Sequence, residues 1–326
     1  MSATHLRRSK PVLAFTCGDP AGVGPEAVVS ALRSGRLKKI CEPLLVGEAS
    51  VWKRAGWRPR LAAVLDTGFG LEAPPFGKTT REGGRASFAA LRLAARLAGR
   101  GLVSGLVTAP ISKEAWALAG VPYPDHTEYL RAATGSPGAQ MILGSPGKRL
   151  WCVIVTRHIP LNRVSAALSV ANILAAAQEL RGALRRLGIR RPRLGLCAFN
   201  PHAGEAGLIG DEERRVLIPA ARSAGLRGLT LEGPIAADAA WRRHAEGEFD
   251  GLVALYHDQA MIALKAAAGL GVVNWTAGLP FIRTSPGHGT AFDIAGRGKA
   301  DCLATVAAAE LAVRLHDPSG RAKRSP

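Results

Sequence analysis

Short, densely apolar runs alternate along the chain with longer segments whose apolar positions recur every three or four residues. The runs at 12–16, 44–46, 102–107, 151–155, 194–198, 251–255 and 272–275 predict strands. The segments at 85–98, 168–187, 212–224 and 300–315 carry the helical period. Strand and helix in alternation predict an α/β protein with a largely parallel sheet. Runs such as WCVIVT, at 151–156, are apolar on successive residues, as expected of strands covered on both faces. In such sheets ligands bind beyond the carboxyl ends of the strands. A length of 326 residues suits two lobes with a cleft between them.

With 47% hydrophobic and 21% charged positions the chain is globular, and no self-similar period points to a repeat protein. No apolar run reaches the roughly 20 residues of a membrane span. Met1 to Lys10 is polar and basic without the apolar core of a secretory signal, so the expected compartment is the cytoplasm. The five cysteines lie far apart and form no C-x-x-C pair, which predicts small core residues rather than disulfides or a thiolate zinc site. The net charge of +18 raises the alternative of a nucleic-acid binder. Six of the cations lie near the ends (Arg7, Arg8, Lys10, Arg321, Lys323, Arg324), and Arg185, Arg186, Arg190, Arg191 and Arg193 follow a helical segment whose C-terminus they complement. Aromatics are only 5% and do not interleave with a basic run, so a solvated basic surface is expected, with no nucleic-acid partner.

Nearly every polar cluster falls just after a predicted strand. The first strand enters TCGDPAGVGPE, at 16–26, where three glycines permit a tight turn and Pro25 opens a helix. That loop is either a tight strand-to-helix connection or an anion cradle; it matches neither the P-loop nor the G-x-G-x-x-G pattern. His158, His202 and His257 each follow a different predicted strand. They are either hydrogen-bonded structural residues or imidazoles converging on a divalent metal. A last polar, glycine-rich stretch, 274–296, carries Arg283, Ser285, His288 and Thr290. It reads either as a surface turn or as a ligand loop in which Arg283 and Lys265 clamp a phosphate.

Six ordered blocks then make the chain similar, over nearly its whole length, to the 4-hydroxythreonine-4-phosphate dehydrogenase family of pyridoxal phosphate biosynthesis. They are GDPAGVGPE (18–26), TAPISK (108–113), HTE (126–128), NPHAGE (200–205), YHDQ (256–259), and GLPFIRTS with HGTAFDIAG (278–285 and 288–296). The resemblance implies a two-lobed fold like that of isocitrate and isopropylmalate dehydrogenases, with residues 1–125 and 270–326 in one discontinuous lobe and 126–269 in the other. It also implies a homodimer with active sites at the subunit interface. His158, His202 and His257 resemble the family's metal ligands, one of them contributed by the partner chain; zinc, cobalt, magnesium or manganese would serve. His126, Thr127, Lys265, Asn274 and Arg283 resemble substrate contacts. Gly278, Ser285, His288, Gly289 and Thr290 resemble the loop for NAD or NADP. Asp238 and Asp258 are candidate general bases, and Lys265 is a further catalytic candidate.

The implied reaction is oxidation of 4-phosphooxy-L-threonine to the 3-keto acid, then decarboxylation to 3-amino-2-oxopropyl phosphate. Threonate or erythronate 4-phosphate, or a cis-dihydrodiol, are alternative substrates within the same superfamily, and a phosphoacyl transferase is an alternative on a related fold. The chain departs from the family pattern at Asp125, Arg157, Ala260, Ile262, Trp275 and Gly287, while keeping every implied metal and phosphate contact.

Overall fold

The computed structural model describes residues 10–70 and 72–317. Arg7, Arg8, Arg321, Lys323 and Arg324 therefore lie outside the described residues. The chain divides into two compact units, one from Met1–Leu130 and Pro280–His316, the other built mainly from Arg131–Leu279.

In the first unit, strands β1 (Val12–Thr16), β2 (Glu42–Val46), β3 (Ala63–Leu65), β4 (Gly105–Thr108) and β11 (Ile282–Pro286) lie in the order β3-β2-β1-β4-β11. All are parallel. Helices α1 (Gly24–Arg33), α2 (Arg36–Ile40), α3 (Ala49–Arg54), α4 (Arg81–Gly99), α5 (Lys113–Leu118) and α12 (Leu303–His316) surround them. Helix α6 (His126–Thr134) contains the break between the units. The Thr80 hydroxyl caps α4 by accepting from the Gly83 amide at 3.0 Å, and the Ser112 hydroxyl caps α5 by accepting from the Ala115 amide at 3.1 Å. The two helices press together at Gly84, where a Cβ would lie 2.0 Å from the Ala115 carbonyl oxygen.

The second unit has strands β5 (Gln140–Ser145), β6 (Leu150–Thr156), β7 (Leu194–Cys197), β8 (Leu231–Ile235), β9 (Gly251–Tyr256) and β10 (Val273–Ala277), in the order β10-β5-β6-β9-β7-β8. Strand β5 runs antiparallel to both neighbours, whereas β6, β9, β7 and β8 are mutually parallel. The carboxyl ends of four adjacent strands therefore share one edge, which is where a parallel sheet presents its ligands. Around them lie α7 (Val164–Ala167), α8 (Val170–Arg186), α9 (Ile218–Leu226), α10 (Ala237–Ala245) and α11 (His257–Ala268). Helix α8 starts at a reciprocal Ser169–Asn172 capping box and ends in Arg185 and Arg186, cations placed where the helix dipole favours them.

Several expectations move. The strand expected at 102–107 begins only at Gly105, because 101–104 form turns. The helix expected at 212–224 opens as a π-helical turn, Glu213–Leu217, before α9. The unit boundaries expected at 125 and 270 fall after Leu130 and before Pro280. The cysteines are free, and all but Cys302 are buried; burial raises the thiol pKa values of Cys17, Cys41 and Cys197 to about 12.

One histidine is structural. His244 is buried, its Nε2 accepts the Trp151 amide at 3.0 Å, and its Nδ1 donates to the Phe249 carbonyl at 3.0 Å. Desolvation lowers its pKa, opposed by those two bonds and by Asp250.

Two outcomes follow from this packing. Gly84→Ala is expected to cost about 1–3 kcal/mol in urea denaturation, whereas Gly99→Ala, with open space at its Cβ position, should change little; equal stabilities would contradict the close approach of α4 and α5. Because the His244 pKa is lower folded than unfolded, the unfolded chain binds its proton first. That contribution to stability is complete above the unfolded value near 6.5 and declines as pH falls from there toward the folded value. Midpoints measured through this window should fall less for His244→Gln, which accepts and donates in the same way without titrating.

Candidate active site

In the first unit the polar blocks meet at the carboxyl ends of β1, β4 and β11. Gly18 turns there with φ +65°, and a Cβ on it would sit 2.3 Å from the Pro110 carbonyl oxygen, so the position requires glycine. The Asp19 amide donates to that carbonyl at 2.8 Å and the Val23 amide to the Thr290 carbonyl at 2.8 Å. The glycine-rich loop is thus bonded to TAPISK on one side and to HGTAFDIAG on the other. Asp19 is fully buried; its Oδ1 accepts the Ala21 amide at 2.9 Å, its Oδ2 has no partner, and desolvation raises its pKa.

Arg283 is buried within β11, and its Nε and one terminal nitrogen donate to the Thr108 hydroxyl at 3.0 and 2.7 Å. Burial lowers its pKa to about 10 against the pull of Asp125, so the guanidinium remains cationic at neutral pH. His126 is also buried, edge-on to Trp116 at 5.6 Å between ring centroids. Desolvation first, and the Arg283 charge second, hold its pKa well below the usual value, so the ring is neutral. Its Nε2 is buried without a hydrogen-bond partner. Leaving such an atom unpaired costs about 1–3 kcal/mol, and an arriving polar ligand recovers it. Thr127 is buried beside it in the first turn of α6. Ser285 is buried and Gly289 exposed, while His288 Nδ1 pairs with the Gly289 carbonyl at 2.9 Å.

The second unit brings its histidines to the shared edge of β6, β9 and β7. His158 follows β6, His257 opens α11 directly after β9, and His202 lies beyond β7. The His158 and His257 rings stand 5.7 Å apart between centroids. Asp258 Oδ1 lies 2.6 Å from His257 Nδ1. A carboxylate there favours the tautomer with the proton on Nδ1 and leaves Nε2 free to accept. The donor set therefore suits a divalent ion. Among the described residues, however, no group of three or more His, Cys, Asp or Glu side chains is arranged to hold one, so His202 does not join the pair.

His202 lies in an unusual segment. His202, Ala203, Gly204, Glu205 and Ala206 all have positive φ, between 42° and 75°. This left-handed conformation costs about 1–2 kcal/mol for each non-glycine residue, so other contacts must hold it. Glu213, only 3% exposed, accepts the Phe199 and Asn200 amides on Oε1 at 2.9 and 2.8 Å, and the Asn200 side-chain amide on Oε2 at 2.8 Å. The same Asn200 nitrogen donates to Glu212 at 2.8 Å, and Glu212 accepts the Ser165 hydroxyl at 2.7 Å. These two bonds lower the Glu212 pKa to about 2. Gln259 binds the Leu255 amide at 2.7 Å and the Ala198 carbonyl at 2.8 Å, tying the His257 turn to the end of β7.

The remaining expected residues are more dispersed. Asp238 is exposed in the first turn of α10 after β8, and Lys265 is exposed in the last turn of α11. Asn274 lies on β10 with a buried, unpartnered Oδ1. Gly278 follows β10 in the second unit, whereas Ser285, His288, Gly289 and Thr290 belong to the first. Sequence reasoning missed the roles of Asp19, Thr108, Asn200, Gln259 and the Glu212–Glu213 pair. All except that pair fall inside the six blocks, so block membership was a signal; the pair reads as the start of an ordinary helix.

A family model described as "Pyridoxal phosphate biosynthetic protein PdxA" matches residues 34–312. The D-threonate 4-phosphate dehydrogenase of Salmonella typhimurium is 39% identical over 325 residues, covering 93% of this chain and 98% of the relative. The 4-hydroxythreonine-4-phosphate dehydrogenase of Paracoccus denitrificans is also 39% identical, over 317 residues, covering 94% and 98%. The crystal structure of 4-hydroxythreonine-4-phosphate dehydrogenase from Klebsiella pneumoniae superposes with a TM-score of 0.80 at 35% identity, covering 95% of this chain and 99% of the other. The fold, the relatives covered nearly end to end and a family match across most of the length agree: the chain belongs to the PdxA family of pyridoxal phosphate biosynthetic proteins.

Proposed function

We propose that this protein is a metal-dependent, NAD(P)-linked dehydrogenase. It oxidises 4-phosphooxy-L-threonine to the 3-keto acid, which decarboxylates to 3-amino-2-oxopropyl phosphate on the route to pyridoxal phosphate. It works as a cytoplasmic homodimer with the active site at the subunit interface. The observation that carries this reading is that His126 and Asn274, which the resemblance implies as substrate contacts, each keep a buried polar atom without a partner. Such atoms suit a polar ligand that supplies the missing hydrogen bonds.

Arg283, buried yet cationic, holds the phosphate with its guanidinium steadied on Thr108, and Lys265 is a substrate contact of the second unit. Thr127 and the neutral His126 orient the substrate, and His126 Nε2 can serve a ligand without adding a second charge beside Arg283. His158 and His257, with His202 from a partner chain, hold the divalent ion, and Asp258 fixes the tautomer of His257. That engagement leaves Asp238, exposed after β8, as the base that takes the hydroxyl proton. Gly278, Ser285, His288, Gly289 and Thr290 receive the nicotinamide nucleotide, with the last loop braced by Val23. When bound, the ion (zinc, cobalt, magnesium or manganese) supplies Lewis acidity at the hydroxyl, and the nicotinamide supplies the hydride acceptor. The product is a β-keto acid, whose CO2 leaves as electrons move toward the new carbonyl.

D-threonate 4-phosphate is the second reading, because relatives bearing either name are equally similar to this chain. A substrate panel separates them. Nucleotide reduction by 4-phosphooxy-L-threonine that chelation abolishes and added metal restores is expected. A higher kcat/KM on D-threonate 4-phosphate would select the second reading, and no reduction with any phosphorylated hydroxy acid would overturn both. Asp238→Asn should lower kcat by about 10²–10⁴-fold, while Asp258→Asn should mainly weaken metal binding. Near-wild-type turnover in both variants would remove both carboxylates as bases.

A further inference from the structure

We propose that Glu213 is a positioning residue whose buried carboxylate holds the left-handed turn that presents His202. The inference deepens the metal-dependent reading above and rests on it.

Three observations carry it. First, the turn is intrinsically unfavourable: of the six consecutive positive-φ residues from His202 to Gly207, four are non-glycine. It persists only if the surroundings specify it. Secondly, Glu213 is the group that specifies it. Its three acceptor contacts all go to Phe199 and Asn200, the residues leading into Pro201 and His202. The fit is close, because a Cβ on Gly204 would lie 2.7 Å from Glu213 Oε2. A carboxylate spans these donors where an amide cannot: glutamine would keep one acceptor oxygen but turn its NH2 toward the Asn200 NH2. Thirdly, the anchor is shared. Asn200 bridges Glu213 to Glu212, and Glu212 takes the Ser165 hydroxyl from the segment that follows His158. One chain of side-chain hydrogen bonds thus relates the His202 turn to the His158 segment within this unit.

Glu213 makes no contact with substrate, cofactor or metal in this account; it acts through His202. A residue that sets the orientation of a metal-ligating histidine changes metal affinity by about 10–100-fold when replaced. A merely structural residue would lower the melting temperature and leave the affinity of the folded protein unchanged.

The test is calorimetric titration of metal-free, full-length protein with Zn2+, paired with the absorption spectrum of the Co2+ form, at a temperature where circular dichroism shows each variant folded. Glu213→Gln is expected to bind Zn2+ about 10–100-fold more weakly and to shift the Co2+ bands, while Glu246→Gln, in an exposed pair with Arg242, leaves both unchanged. His202→Ala reports on the underlying reading. Wild-type affinity in His202→Ala would remove the metal role of His202, and the inference with it. Weakened binding in His202→Ala with wild-type binding in Glu213→Gln would leave the metal reading standing and overturn the positioning role alone. Should Glu213→Gln fail to fold, Glu213→Asp, which shortens the reach of the carboxylate toward the Phe199 and Asn200 amides, replaces it with the same two outcomes.

Discussion

The chain of hydrogen bonds from Ser165 through Glu212 and Asn200 to Glu213 is the constraint on which the turn carrying His202 depends. Parallel packing of β6, β9, β7 and β8 brings His158, His257, His202 and Asp238 to one edge of the sheet, but strand order fixes only where each loop begins. Beyond β7 the backbone adopts a conformation that its own residues disfavour, and the cost is met by hydrogen bonds to a buried carboxylate. Fold topology supplies the neighbourhood and buried polar contacts supply the geometry.

The first unit solves a different problem with similar means. It keeps a cation, Arg283, and a neutral imidazole, His126, in the same buried region. Burial alone would favour the neutral form of both, but only the histidine has an ordinary pKa low enough for the shift to settle its state at neutral pH. The result is one fixed positive charge beside an uncharged hydrogen-bonding group, a combination suited to a phosphorylated substrate with a nearby polar end. The adjoining loops are fastened backbone to backbone, at Asp19–Pro110 and Val23–Thr290, so that glycines rather than side chains set their separation.

Much of this was legible in the sequence. Strands that are apolar on successive residues, such as β1, β6 and β9, showed themselves because both their faces are covered. Strands β8, with Glu232, Gly233 and Pro234, and β11, with Arg283, Thr284 and Ser285, did not. The failure at β11 is instructive: all five of its residues are buried, and its polar members are there for the site rather than the core. The placement of His158, His202 and His257 after strands was legible, because each lies beyond a dense apolar run. Glu213 was not, because burial of a carboxylate depends on what other segments donate to it, and no local pattern records the amides of Phe199 and Asn200. His244 shows the converse, a histidine whose two ring nitrogens are both engaged by backbone and which serves packing alone.

The central claim is that the histidines at the ends of β6, β7 and β9 form one metal site, with His202 presented by its braced turn. It is tested most directly by a crystal structure of the zinc-loaded protein with the ion located by anomalous scattering. The account predicts a single strong peak ligated by His158 and His257 of one chain and completed by a His202, with Glu213 still bound to the Phe199 and Asn200 amides. A peak away from these imidazoles, or an ion ligated without His202 while the turn remains intact, would contradict it.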